Sequence, residues 1–291
     1  MSKRELALEE AVKLRKTKAV VPKPFTGGAV RQDATHRFAP GEPAVDPLGV
    51  ATHIVCIKEP DSFIAEQYKR IRARILRSPA KEIPTTIMIT SPDTGEGKTV
   101  TAVNLAVTMA KEIDHTVLLV DADLRNPSIH KYLGIKPRCG LGDYLTGSVA
   151  LSDALIKTGI GKLTVLPAGN PPENPAELLA SGRMRTLIQE MKQRYRDRFV
   201  LFDLPPILTT AEPLSLGNCV DGVIMVTQAA RTSPKAAAKA LSLMKGFNIL
   251  GVVFNSVPPY LSASTYPYRP YPYTRQKGGA DSPKKAGNGK S

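Results

Sequence analysis

A short stretch carries residues suited to holding a chain of phosphates. Gly95, Glu96, Gly97, Lys98 and Thr99 follow the apolar run Ile87-Met88-Ile89 and precede a helical pattern with Val103, Ala106, Val107 and Ala110. Strand, glycine-rich loop, Gly-Lys-Thr and helix, in that order, form the context of a phosphate-binding loop. Gly95 and Gly97 let the backbone turn its N–H groups toward phosphate oxygens. The helix start adds the positive end of its dipole. Lys98 supplies a point charge for the β- and γ-phosphates, and the Thr99 hydroxyl can ligate Mg²⁺. Thr94, Gly95, Glu96, Gly97, Lys98, Thr99 and Val100 are therefore assigned to nucleotide binding. The full pattern has Gly six residues before the lysine, and Pro92 stands there.

Three carboxylates follow other apolar runs. Asp121 and Asp123 come after Thr116–Val120, and Asp203 comes after Phe199–Phe202. In a parallel sheet, ligands bind at the carboxyl ends of the strands, so these groups and Thr99 are placed to hold a hard cation beside bound phosphates. Phosphoryl transfer needs positioning and charge neutralisation more than covalent help. An acceptor hydroxyl must also lose its proton. A tyrosine, with a pKa of about 10, stays protonated at neutral pH, and a carboxylate in hydrogen-bond reach can accept that proton. Asp121 and Asp123 are both candidates, and the residues alone do not divide metal and base roles between them.

The elements that must position these groups alternate. A short edge strand is expected at Ile54–Ile57. Ser62 reads as an N-cap for a helix to about Arg77, with Phe63, Ile64, Tyr68, Ile71 and Ile75 as its apolar stripe. The other face is basic (Lys69, Arg70, Arg72, Arg74, Arg77) and reads either as a solvated face or as an interaction surface. Segments 140–160 and 171–195 read as helices joined by the strand Leu163–Leu166. Gly222–Thr227 is a strand, Ser233 caps a helix to about Lys245, and Ile249–Phe254 is the last buried strand, ending at Asn255. This alternation predicts an α/β fold with a doubly wound, mostly parallel sheet. Residues 1–50 read as a basic arm and Pro-rich linker without a core, 51–256 as the P-loop domain and 257–291 as a tail.

The chain has 291 residues and a formal charge of +14. Much of the excess lies between Lys3 and Arg37 and between Arg269 and Lys290, which suggests anionic partners. Cys56, Cys139 and Cys219 have no metal-site spacing and fit a reducing compartment. No apolar run approaches the ~18 residues that span a bilayer, so any membrane association is expected through a partner or a basic surface. No helix-turn-helix or stacking platform is evident, and nucleic acid is not an expected partner. In the tail, prolines alternate with Tyr260, Tyr266, Tyr268, Tyr271 and Tyr273, and polyproline-like extension is the default there.

Together these motifs resemble the bacterial tyrosine kinases, autokinases tied to capsule and exopolysaccharide export and related to ParA/MinD ATPases. Gly95–Thr99 matches Walker A, Leu118–Arg125 the second, A′ motif, and Val200–Pro206 Walker B. With Asn174–Leu179 and the tyrosine-rich tail, the resemblance covers about residues 55–275. It implies that Lys98 binds ATP phosphates and that Thr99, Asp121 and Asp203 organise Mg²⁺. It further implies that Asp123 meets the incoming tyrosine, that Asn255 contacts adenine, and that Tyr260–Tyr273 are the phosphoacceptors. The family's ring-assembly helix carries Glu-x-x-Arg-x-x-Arg. Here Glu66, Lys69 and Arg72 match its spacing, but Lys69 lacks the bidentate fork of arginine. Thr94 stands where the family commonly has Pro. The implied partners are further copies of the chain, a transmembrane chain-length or co-polymerase protein and a tyrosine phosphatase. The implied location is cytoplasmic, at the inner membrane face through that partner.

Two readings follow. One is an ATP-dependent tyrosine autokinase that phosphorylates its own tail and so regulates polysaccharide polymerisation and export. The other is a switch ATPase of the ParA/MinD type that phosphorylates nothing. Those ATPases carry a signature lysine near the loop's start, where this chain has Asp93.

Overall fold

The computed structural model of the chain describes residue 45 and residues 48–77, 82–112, 114–194 and 198–258. The basic arm and the tail tyrosines, Tyr260, Tyr266, Tyr268, Tyr271 and Tyr273, lie outside the described residues.

A seven-stranded sheet organises the rest: β1 (Thr86–Thr90), β2 (Thr116–Asp121), β3 (Ile156–Lys157), β4 (Leu163–Leu166), β5 (Arg198–Asp203), β6 (Gly222–Gln228) and β7 (Ile249–Asn255). Its order is β3-β4-β2-β5-β1-β6-β7. All pairs are parallel except β3 with β4, so the expected doubly wound architecture is present. β1 is buried along its whole length, as a central strand covered on both faces must be. One face packs on helices α1 (Val55–Lys58), α2 (Phe63–Leu76), α3 (Lys98–Ala110) and α4 (Ile129–Leu133). The other packs on α5 (Leu141–Thr146), α6 (Leu151–Ala154), α7 (Pro175–Leu179), α8 (Gly182–Arg194), α9 (Glu212–Leu216) and α10 (Pro234–Leu243). Two residues of the segment read as linker, Val45 and Val50, are buried in the first of these cores.

The helix behind the phosphate loop, α3, is buried except at Lys98 and Val100. A helix that is apolar all round belongs in the interior, and α3 lies between the sheet and α1–α2. Its one buried amide, Asn104, donates to His53 and Val100 carbonyls at 3.0 Å each and accepts from Cys56 N at 3.0 Å. That capture explains why Ile54–Ile57 is not the edge strand expected: the segment folds into the helical turn α1, with Ile54 and Cys56 buried against α3.

Helix α2 starts as expected, the Ser62 hydroxyl accepting from Ala65 N at 3.2 Å. Ser233 caps α10 in the same way at 3.1 Å. The long helices expected over 140–160 and 171–195 are each divided. Gly147, at φ 92°, ends α5, and Ile156–Lys157 leaves helical geometry to pair antiparallel with β4. Ser181 separates α7 from α8, its hydroxyl accepting from Met184 N at 3.2 Å. The short helices α4 and α9 lie in stretches with no helical expectation. β7 also differs from the buried strand expected. Among the described residues it pairs with β6 alone, and Val252 and Phe254 are 51% and 59% exposed.

Candidate active site

The strands place the three carboxylates by register. Asp121 and Asp203 are direct partners on the adjacent parallel strands β2 and β5, and Ile89 of β1 pairs with Asp203. Direct partners in a parallel pair point to the same face, so the two carboxylates stand side by side beneath the loop that leaves β1. Both are fully buried.

That loop runs from Ser91 to Gly97. Gly95 and Gly97 have φ of 74° and 90°, the left-handed region that glycine enters without penalty. A Cβ on Gly97 would collide with the Asn255 amide, and one on Gly95 would lie 2.7 Å from the Arg231 guanidinium. The loop is braced from within and from β6 and β7. Glu96 accepts from Asp93 N at 2.9 Å and from the Thr232 hydroxyl. Asn255 Nδ2 donates to Glu96 O at 3.1 Å, and Arg231 Nη1 donates to Gly95 O at 3.3 Å. Thr94 N is held by Asp93 Oδ1 at 2.7 Å. Val100, in the first turn of α3, contributes its carbonyl to Asn104.

Below the loop, Lys98 Nζ lies 2.7 Å from Asp123 Oδ2, 3.6 Å from Asp203 Oδ1 and 3.3 Å from Thr99 Oγ1. Thr99 Oγ1 donates to Asp203 Oδ2 at 2.6 Å, and Ser128 Oγ donates to Thr99 Oγ1 at 3.3 Å. Asp121 Oδ2 accepts from the amides of Ser128 and Ile129 at 3.1 and 3.0 Å. Asp123 Oδ1 accepts from Asn126 N at 3.1 Å.

Electrostatics follow from crowding these charges out of water. Burial raises the Asp121 carboxyl to about 8, and the nearby Asp203 adds to the effect against the Ile129 amide and Lys98. Burial also raises Asp203, opposed by Lys98 and Thr99. For Lys98, burial opposes the charge, but Asp203 and Asp123 outweigh it and the ammonium is held more firmly protonated than usual.

One oxygen each of Asp121 and Asp203, both Oδ1, is buried without a hydrogen bond. With Thr99 Oγ1 they form a set of hard oxygen donors beside the phosphate loop, the chemistry that Mg²⁺ takes. Among the described residues no cluster of three or more His, Cys, Asp or Glu is arranged to hold an ion by itself. This suits a cation that completes its shell with phosphate oxygens and water.

Lys98, Thr99, Asp121, Asp123 and Asp203 thus converge, as their places at strand ends led us to expect. Asn255 reaches the same loop. Glu66, Lys69 and Arg72 lie elsewhere, on α2. Glu66 pairs with Lys69 at 3.1 Å, while Arg72 binds Glu112 at 2.7 Å and Thr108 O at 3.0 Å. Arg72 is therefore already engaged within its own chain. Sequence reasoning missed Ser128, Arg231, Thr232 and Glu212. Ser128 follows Asn126-Pro127, a helix-start signal that could have found it; Thr232 and Glu212 lie far along the chain from the loops they hold.

Comparison with known proteins agrees with this geometry. The family model described as ParA, NUBPL iron-transfer P-loop NTPase, matches residues 82–265. Tyrosine-protein kinase YwqD of Bacillus subtilis is 38% identical over 206 residues, which is 70% of this chain and 85% of that protein. The crystal structure of the chimerical protein CapA2B2 superposes with a TM-score of 0.67 at 30% identity, covering 74% of this chain and 95% of that one. The kinase domain of Escherichia coli tyrosine kinase ETK gives 0.66 at 28% identity, covering 70% and 80%. With the phosphate loop, its three carboxylates and this similarity together, the chain belongs to the bacterial tyrosine-protein kinases, a branch of the ParA-type P-loop NTPases.

Proposed function

We propose that this chain is an ATP-dependent protein-tyrosine kinase that transfers the γ-phosphoryl group of ATP to tyrosines of its own tail, Tyr260, Tyr266, Tyr268, Tyr271 and Tyr273. The observation that carries the reading is the 2.7 Å pair between Lys98 Nζ and Asp123 Oδ2. It joins the phosphate-binding cation to a carboxylate that is not committed to the pair formed by Asp121 and Asp203. Arriving phosphates compete with Asp123 for Lys98, and a carboxylate so released can accept the acceptor's proton.

The loop amides and Lys98 bind and orient the phosphates. Asn255, tied to Glu96 O, would contact the base. Thr99, Asp121 and Asp203 would hold Mg²⁺, which supplies charge neutralisation to the β- and γ-phosphate oxygens. In the transfer, a bond forms between the tyrosine oxygen and the γ-phosphorus while the bond to the β-bridging oxygen breaks. The phenolic proton passes to Asp123 and then to solvent, and ADP leaves.

Asp93 supports the kinase reading over a switch ATPase. It occupies the position of the signature lysine, and its carboxylate instead accepts from the adjacent Thr94 N at 2.7 Å. Regulation of polysaccharide polymerisation and export, a transmembrane activating partner, a tyrosine phosphatase and assembly with further copies belong to the same proposal. Among the described residues no helix is long and apolar enough to cross a membrane, so membrane placement would come through that partner.

The test is mass spectrometry of the full chain after incubation with Mg-ATP, beside Lys98→Met and a variant with the five tail tyrosines changed to Phe. Phosphate on Tyr260–Tyr273 that disappears in both variants is the expected result. ATP hydrolysis without phosphotyrosine, also in the presence of the partner's cytoplasmic segment, would overturn it.

A further inference from the structure

Arg125 ends the motif that supplies Asp121 and Asp123, yet nothing in the mechanism above uses it. Its Nε donates to Glu212 Oε1 at 2.6 Å, the only hydrogen bond of that side chain among the described residues. The two partners are placed very differently: the Arg125 side chain is 51% exposed and that of Glu212 is 1% exposed. The second carboxylate oxygen of Glu212, Oε2, is buried without a hydrogen bond. A carboxylate removed from water loses solvation that one bond to a half-solvated guanidinium does not return in full. The pair is thus poorly explained as a stabilising contact.

Its location explains it better. Glu212 opens α9 at the end of the loop that leaves Asp203. That loop is fastened to the phosphate loop, with Ile207 N donating to Ser91 O at 2.9 Å and Leu208 N to Pro92 O at 3.2 Å. Arg125 stands two residues beyond Asp123, within the electrostatic reach of Asp123 and of Glu177 on α7. The ion pair therefore joins the loop after β2, two residues beyond Asp123, to the loop after β5, and leaves the Arg125 side chain half in solvent beside the site. With Nε occupied, the two Nη groups of the guanidinium remain to form a fork, the geometry that binds phosphate oxygens bidentately.

We propose that Arg125, aimed by the buried Glu212, binds the phosphotyrosyl group on the acceptor side of the site, gripping the phosphoryl oxygens as they pass from ATP to the tyrosine. Glu212 is a positioning residue that acts through Arg125. The role adds no atom or proton to the transfer already written. The inference rests on the kinase reading, but binding tests it separately from turnover.

Calorimetry on the full chain loaded with Mg-ADP would use a peptide of residues 264–275 with phosphate on Tyr268. Arg125→Ala should weaken phosphopeptide binding at least tenfold, while affinity for a fluorescent ADP analogue stays within twofold. Arg125→Lys should not restore binding, because it lacks the fork. Glu212→Gln should weaken it by a smaller factor. Wild-type affinity for the phosphopeptide in Arg125→Ala would overturn the proposal. So would a parallel fall in nucleotide affinity and melting temperature, which marks a structural role, or failure of the wild-type chain to prefer the phosphorylated peptide. If wild-type protein makes no phosphotyrosine from Mg-ATP, the kinase reading fails by that separate measurement and the binding data still decide the fork.

Discussion

Lys98 Nζ sits 2.7 Å from Asp123 Oδ2 and 3.6 Å from Asp203 Oδ1, so one cation serves a carboxylate of the loop after β2 and another at the end of β5. Asp203 is committed to Thr99 through its other oxygen, which leaves Asp123 as the carboxylate free to change partner when phosphates arrive. Asp123→Asn should keep nucleotide affinity within a few-fold but slow phosphotyrosine formation on the order of 100–10,000-fold, the range in which loss of a positioned acid or base falls. Quench-flow labelling with Mg-ATP, read beside nucleotide titrations, checks this. Equal losses in both would assign Asp123 to nucleotide binding instead.

Gly97 has two reasons to be glycine: φ of 90° and the Asn255 amide beside its α-carbon. Gly97→Ala should cost at least about 1 kcal/mol of stability and abolish nucleotide binding. Adding Asn255→Ala removes the collision but not the backbone strain. The double variant should therefore recover part of the stability in thermal melts. Full recovery would mean the strain is negligible.

Asn104 satisfies three backbone groups around α1 and α3 with one side chain. Asn104→Ala leaves Cys56 N buried without that partner and removes the bond to His53 O, and about 2 kcal/mol should be lost. The urea midpoint is the readout. Because α1 and α2 pack on α3, Asn104→Ala should also raise hydrogen exchange over residues 53–58 more than over β1.

Asp221 clamps the opposite end of the sheet. It accepts from Thr85 N, Thr86 N and the Thr85 hydroxyl at 2.9–3.1 Å and pairs with Lys192 at 2.7 Å. Burial works to raise its carboxyl, but Lys192 and the Thr86 amide outweigh it and the pKa falls below the ordinary 3.8. A depressed folded value means stability that is present above the ordinary value and lost as pH falls through the folded one. Wild type should exceed Asp221→Asn in melting temperature at pH 7, and the two should converge below about pH 4. A constant gap from pH 7 to pH 3 would contradict this.

Much of this was legible from the chain because local signals coincide. Apolar runs ended at Thr90, Asp121 and Asp203, and the residues that follow such ends in a parallel sheet share one edge. Three adjacent residues, Gly97, Lys98 and Thr99, sufficed to locate the phosphate site. The remainder was hidden for physical reasons. Helix α1 forms because a side chain 48 positions away captures Cys56 N, a tertiary override that no local propensity reports. Helix α4 has five residues, too few for a periodic pattern. Its role is to offer two amides to Asp121. Glu212 and Arg125 are 87 positions apart, and only the fastening of the β5 loop to the phosphate loop brings them together. β7 reads as buried because its residues are apolar, but its place at the sheet edge leaves half of them in water.

The hydrogen bond from Asn255 to Glu96 O fixes where the tail is leashed. Tyr260 lies five residues past that anchor and Tyr273 eighteen. At no more than about 3.6 Å per extended residue, the chain length from Asn255 limits Tyr260 to about 18 Å and Tyr273 to about 65 Å. A single anchor thus sets a different upper limit of covalent reach for each of the five tyrosines, shortest for Tyr260 and longest for Tyr273.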